Sequence, residues 1–108
     1  MPKEEMFHGT LDMLVLKTLS RGEMHGYEIA NSIQQTSDDA LQVEEGSLYP
    51  SLYRMERRGW IKSEWGLSEN NRKARYYRLT RAGNKQLESE KDSWARLTEA
   101  ISKVMQTA

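Results

Sequence analysis

Between Ser47 and Arg57 the chain sets hydroxyls, phenol rings and guanidinium groups at helical spacing. At about 100° per residue, Ser47, Pro50, Tyr53, Arg54 and Arg57 fall on one side of a helix, with Tyr49 on its flank. These groups suit the base edges and phosphates of a nucleic-acid groove. The other side repeats Leu48, Leu52 and Met55 at i, i+4 and i+7, a stripe for burial. An ordinary amphipathic helix with a solvated basic face has the same pattern, so this helix alone does not decide between the two.

The elements around it narrow the choice. Ser47 is the expected N-cap, which puts Pro50 at the third helical position, where its missing N–H costs nothing; Gly59 stands where a left-handed stop belongs. Upstream, Met6 and Phe7 suit a lead-in turn. Thr10 caps a helix to about Ser20 that is apolar nearly all round, and such a helix must be buried or lie in an interface. Gly22 ends it. A second helix spans about Gly26 to Thr36 on Tyr27, Ile29, Ala30 and Ile33, and His25 starts it rather than binding a metal. Ser37-Asp38-Asp39 is a loop, and Leu41-Gln42-Val43 alternates as a very short strand would. The order is that of a helix-turn-helix.

After Gly59 the period changes to two. Trp60, Ile61 and Trp65 mark one strand and Arg75 to Leu79 another, joined by the turn-rich Gly66 to Asn71 and by Arg72-Lys73. That is a hairpin with a basic tip. Charged tips are often merely solvated, but beside a polar-faced helix this one makes a winged helix-turn-helix. Charge agrees: the chain is neutral, yet residues 54–85 hold ten Lys/Arg against three acids, a local +7 balanced by −7 elsewhere. One basic surface on an acidic body is the electrostatic footprint of a phosphate-binding module.

Thr80 caps a last helix to about Met105, roughly 39 Å long and too long for a small domain to cover. Leu87, Trp94 and Ile101 are seven apart, and Leu97 and Val104 fall three after Trp94 and Ile101. A narrow two-position seam on a protruding helix asks for a partner helix, most simply from a second copy. The expected architecture is mainly α with a small β-hairpin: a winged helix-turn-helix DNA-binding domain over 1–80 and a C-terminal dimerisation helix over 81–108.

With no cysteine there is no disulfide, thiolate site or cysteine nucleophile. No apolar run approaches a membrane span and the start is no signal peptide, so a cytoplasmic protein without membrane contact is expected. Two isolated histidines, no Gly-rich phosphate loop and no paired carboxylates at metal-ligand spacing argue against an enzyme, a cofactor or a metal. A winged-helix module that binds protein without specific DNA binding is the alternative, and the local +7 speaks against it.

Three segments carry a resemblance: Met24-His25-Gly26-Tyr27-Glu28-Ile29, Glu45-Gly46-Ser47-Leu48-Tyr49-Pro50, and Arg75-Tyr76-Tyr77-Arg78-Leu79-Thr80 with Gly83. In this order and spacing they resemble the PadR family of bacterial transcriptional regulators, in its short form, over most of residues 9–105. The resemblance implies a homodimeric repressor on a near-palindromic operator in double-stranded DNA. It assigns DNA contact to Ser47, Tyr49 and Pro50 and phosphate proximity to Tyr27; the helical projection adds Tyr53 and Arg54, and the basic residues of the wing are Arg72, Lys73 and Arg75. The wing tip, Asn70-Asn71-Arg72-Lys73-Ala74, departs from the glycine and proline or arginine common in that family. In some short relatives a tryptophan placed like Trp94, in a Ser-Trp pair, faces its symmetry mate and takes up planar aromatic small molecules. Trp94 is thus a candidate effector residue, the alternative being that it simply fills the seam.

Overall fold

Leucine and isoleucine stripes on three short helices close on one another to form the core. In the computed structural model, which describes residues 8–108, these helices are α1 (His8–Leu19), α2 (Gly26–Thr36) and α3 (Glu45–Arg57). Leu11, Val15, Leu16 and Leu19 of α1 meet Ile29 and Ile33 of α2 and Leu48, Leu52 and Met55 of α3. The strands are β1 (Met24–His25), β2 (Ile61–Leu67) and β3 (Lys73–Leu79), and α4 (Arg81–Met105) ends the fold. The described residues form an antiparallel sheet in the order β1-β3-β2, with Met24 opposite Tyr77 and Ile61 opposite Leu79. This is the expected winged helix-turn-helix with a long terminal helix.

Local expectations fail where packing overrules them. Helix α1 is already formed at His8, so Thr10 lies inside it, and the lead-in at Met6 and Phe7 falls outside the described residues. Leu41-Gln42-Val43 is not a strand: Leu41 and Val43 pack on the core, while Met24–His25 takes the sheet edge beside β3. Strand β2 runs on through Gly66 and Leu67 because the Tyr76 ring covers the glycine, and the Tyr76 hydroxyl donates to the Leu67 carbonyl at 2.8 Å.

Helix α3 starts earlier than expected. Its N-cap is Glu44, whose carbonyl accepts from the N–H groups of Ser47 at 3.0 Å and Leu48 at 2.9 Å. Pro50 is therefore well inside the helix, and the bond it cannot donate belongs to the carbonyl of exposed Gly46, which water can satisfy. Ser47 is not spent on capping and lies exposed on the first turn. The C-terminus is as expected: Gly59 has φ of 78°, Trp60 N–H donates to Met55 C=O and Gly59 N–H to Glu56 C=O, a Schellman stop.

Thr80 ties this stop to α4. Its hydroxyl accepts from Gly83 N–H at 3.0 Å and donates to Gly59 C=O at 2.6 Å. A Cβ on Gly83 would fall 2.0 Å from the Trp60 carbonyl oxygen, so only glycine lets the helix cross here. One turn on, Leu87 is buried in the same core, and beyond it α4 leaves the domain, stretching the molecule to 57 Å along its longest axis.

A polar tie sets the angle of α3 against α1. Asp12, nearly buried on α1, accepts from the hydroxyl of fully buried Ser51 and from Arg54 Nη2 at 3.1 Å, both on α3. Truncating the carboxylate strands a buried hydroxyl and part of a guanidinium. Asp12→Ala is expected to cost about 1–3 kcal/mol in urea unfolding; an unchanged midpoint would show that the tie does not hold α3.

Candidate nucleic-acid interface

The N-terminus of α2 is built by His25. Its Nδ1 accepts from Glu28 N–H at 3.3 Å while Glu28 Oε1 accepts from His25 N–H at 3.1 Å, a reciprocal cap. The imidazole also meets the Tyr76 ring edge-on, with centroids 5.3 Å apart. The histidine is thus a helix-start residue, as its place before Gly26 suggests. Gly26 itself is buried, and a Cβ there would lie 2.7 Å from Tyr49 Oη. Because Gly26 has no side chain, the Tyr49 ring rests on the first turn of α2 and remains 46% exposed.

Around this contact the structure gathers most of the expected site. Tyr27, Tyr49, Arg72, Lys73 and Arg75 line one open groove of about 1090 Å³ between α2, α3 and the β2–β3 wing. Ser47, Pro50 and Tyr53 are exposed on α3 outside the groove lining, and the Arg57 guanidinium lies 5.7 Å from the Tyr53 ring centre. At the tip, Ser68 N–H donates to Arg72 C=O at 2.8 Å and Asn71 takes the left-handed φ of 59° that asparagine tolerates. Burial raises the Tyr77 phenol on the groove wall above its ordinary value of 10.0.

Two expected residues are placed elsewhere. Arg54 is turned to Asp12 and only partly exposed, so its charge is engaged within the fold rather than grouped with the wing cations. Leu87 is a correction: it is 4% exposed in the chain's own core, because it shares with Gly83 the face of α4 that crosses the domain. The rest of the seam, Trp94, Leu97, Ile101 and Val104, is exposed along the outer half of α4. Conversely, Arg21, Asn31 and Trp65 also line the groove and were not singled out from sequence. Strand alternation marks Trp65 as a strand residue, but its place beside Arg75 depends on the hairpin register, which is not legible in the chain.

Among the described residues no group of three or more His, Asp or Glu could hold a metal ion, and no helix is long and apolar enough to cross a membrane. The sequence profile of the Transcriptional regulator PadR-like family matches residues 15–89. A transcriptional regulator from Clostridium thermocellum superposes with a TM-score of 0.81 at 33% identity, covering 88% of this chain and 92% of that one. A PadR-like transcriptional regulator from Bacillus cereus gives 0.78 at 31% identity, covering 93% and 95%. A protein of Lysinibacillus sphaericus known as Uncharacterized protein X is 28% identical over 106 residues, which span 98% of this chain and 97% of the relative.

Gly26→Ala tests the seat of Tyr49. The added methyl meets the far end of a swinging ring, so the melting temperature is expected to hold while the Tyr49 ring resonances shift in NMR spectra. Unmoved resonances would mean that the ring does not rest on Gly26.

Proposed function

We infer that this chain, which belongs to the PadR-like family of transcriptional regulators, represses transcription as a homodimer on a near-palindromic operator. Regulators of this family bind DNA, and the chain is a DNA-binding regulator rather than an enzyme. The observation that carries the finer reading is the shared outward side of α3 and the wing. Tyr49 lines one groove with Arg72, Lys73 and Arg75, and Ser47, Pro50 and Tyr53 are exposed on the same helix outside its lining.

In this reading the wing cations and Tyr27 meet the sugar–phosphate backbone, supplying affinity and register, while the first turns of α3 read base edges in the major groove. Pairing of two α4 seams through Trp94, Leu97, Ile101 and Val104 would bring two such surfaces to half-sites about 34 Å apart. The paired Trp94 indoles would then offer flat faces to a planar aromatic small molecule. Such an effector would act by changing the separation of the two α3 helices.

Selection of bound duplexes from a random pool supplies the operator, and a two-fold symmetric consensus is the expected result. On that duplex Tyr49→Ala is expected to weaken binding about tenfold or more without unfolding the chain. The wild-type affinity should fall with salt at a log–log slope of about −0.9 per phosphate neutralised. Unchanged affinity for the variant, or a flat salt response, would count against the reading. Ile101→Asp buries a charge in the seam, so sedimentation equilibrium should return the monomer mass for it and twice that for the wild type. A wild-type monomer would end the dimer proposal.

A further inference from the structure

Trp65 is a large side chain outside the buried core of the described residues. It is 60% exposed, whereas the buried end of the same hairpin face is held by Ile61 and Tyr77. The register places Trp65 directly opposite Arg75, with Lys73 the diagonal neighbour on the same face. Both cations lie against the indole: Lys73 Nζ is 5.0 Å and Arg75 Cζ 5.4 Å from a ring centre. Arg75 is held from a second side, since its Nε donates to Ser63 Oγ at 2.9 Å and that hydroxyl donates to Glu56 Oε2 at 2.6 Å.

The choice of an indole partner has a chemical consequence. A carboxylate would hold a lysine or arginine by neutralising it, leaving little charge for a phosphate. The negative face of an indole orients a cation and leaves its full charge available. It also removes some of the rotamer freedom that a long side chain would otherwise lose on binding. The hairpin shows both kinds of neighbour: on its other face exposed Arg78 lies 3.9 Å from Glu64, a loose surface ion pair, whereas Lys73 and Arg75 have the ring and face the groove.

Resting on the DNA-binding reading above, we propose that Trp65 is a positioning residue of that site, a platform that presets Lys73 and Arg75 for the sugar–phosphate backbone and adds sequence-independent affinity. The test compares wild type, Trp65→Ala, Trp65→Phe, Lys73→Ala and the double variant W65A/K73A, all in the full chain. Fluorescence anisotropy is measured on the selected operator and on an unrelated duplex, with a thermal melt for each protein. Trp65→Ala is expected to weaken both duplexes about tenfold with an unchanged melt, and Trp65→Phe to recover most of the loss. The double variant should lose less than the sum of the two single losses, because the share of the platform's effect that runs through Lys73 is already gone while Arg75 keeps the rest.

Wild-type affinity in Trp65→Ala, or strictly additive losses in the cycle, would overturn the proposal while leaving the DNA-binding reading in place. Losses that follow the melting temperature across both Trp65 variants would assign the residue to stability and overturn it equally. A wild-type chain that binds no duplex would instead bring down the reading it rests on.

Discussion

Asp12 lies on α1 beneath α3 and takes hydrogen bonds from Ser51 and Arg54, which stand one turn apart on that helix. An apolar stripe such as Leu48, Leu52 and Met55 tells a helix which side to bury, but it tolerates some rotation about the axis. A directional bond to a nearly buried carboxylate tolerates much less. With the roll of α3 fixed, Ser47, Tyr49, Pro50 and Tyr53 come out on the open side, and the Tyr49 ring arrives over Gly26. The guanidinium that helps fix the roll is one that a helical projection places on the polar side with Tyr53 and Arg57.

Electrostatics follow the same division between structural and outward charge. The chain is neutral and its basic excess sits within residues 54–85, yet not all of that excess faces the groove. Arg54 is engaged by Asp12, Lys62 and Arg78 occupy the far face of the hairpin, and Arg58 lies outside the groove lining. What remains at the groove is a small group, Arg72, Lys73 and Arg75, on a short hairpin. A few oriented charges at the rim of a concave surface attract a polyanion more effectively than the same number scattered over a sphere.

Helix α4 serves two environments in one continuous element. Its first turns belong to the domain: Thr80 caps it, Gly83 lets it pass against the Trp60 carbonyl, and Leu87 enters the core. The remaining turns carry Trp94, Leu97, Ile101 and Val104 into solvent at one-heptad intervals. The helix is unbroken from Arg81 to Met105, so the outer apolar stripe continues directly from the cap that Thr80 ties to the α3–β2 turn.

Periodicity, punctuation and charge distribution were enough to establish the order of the four helices and the hairpin, the winged helix-turn-helix class, the Gly59 stop, the Thr80 cap and the polar face of α3, since each is a local property of neighbouring residues. Tertiary packing decided the rest. Whether Ser47 caps α3 depended on the Glu44 carbonyl and on what water could reach at Gly46; whether Leu41 to Val43 became a strand depended on Met24–His25 occupying the sheet edge. Leu87 obeys the heptad as well as Trp94 does, and only the close crossing at Gly83 assigned it to the core. Arg54 and Trp65 exchanged apparent roles for the same reason: a partner 42 residues away in one case and a strand register in the other, neither of which is encoded in local spacing.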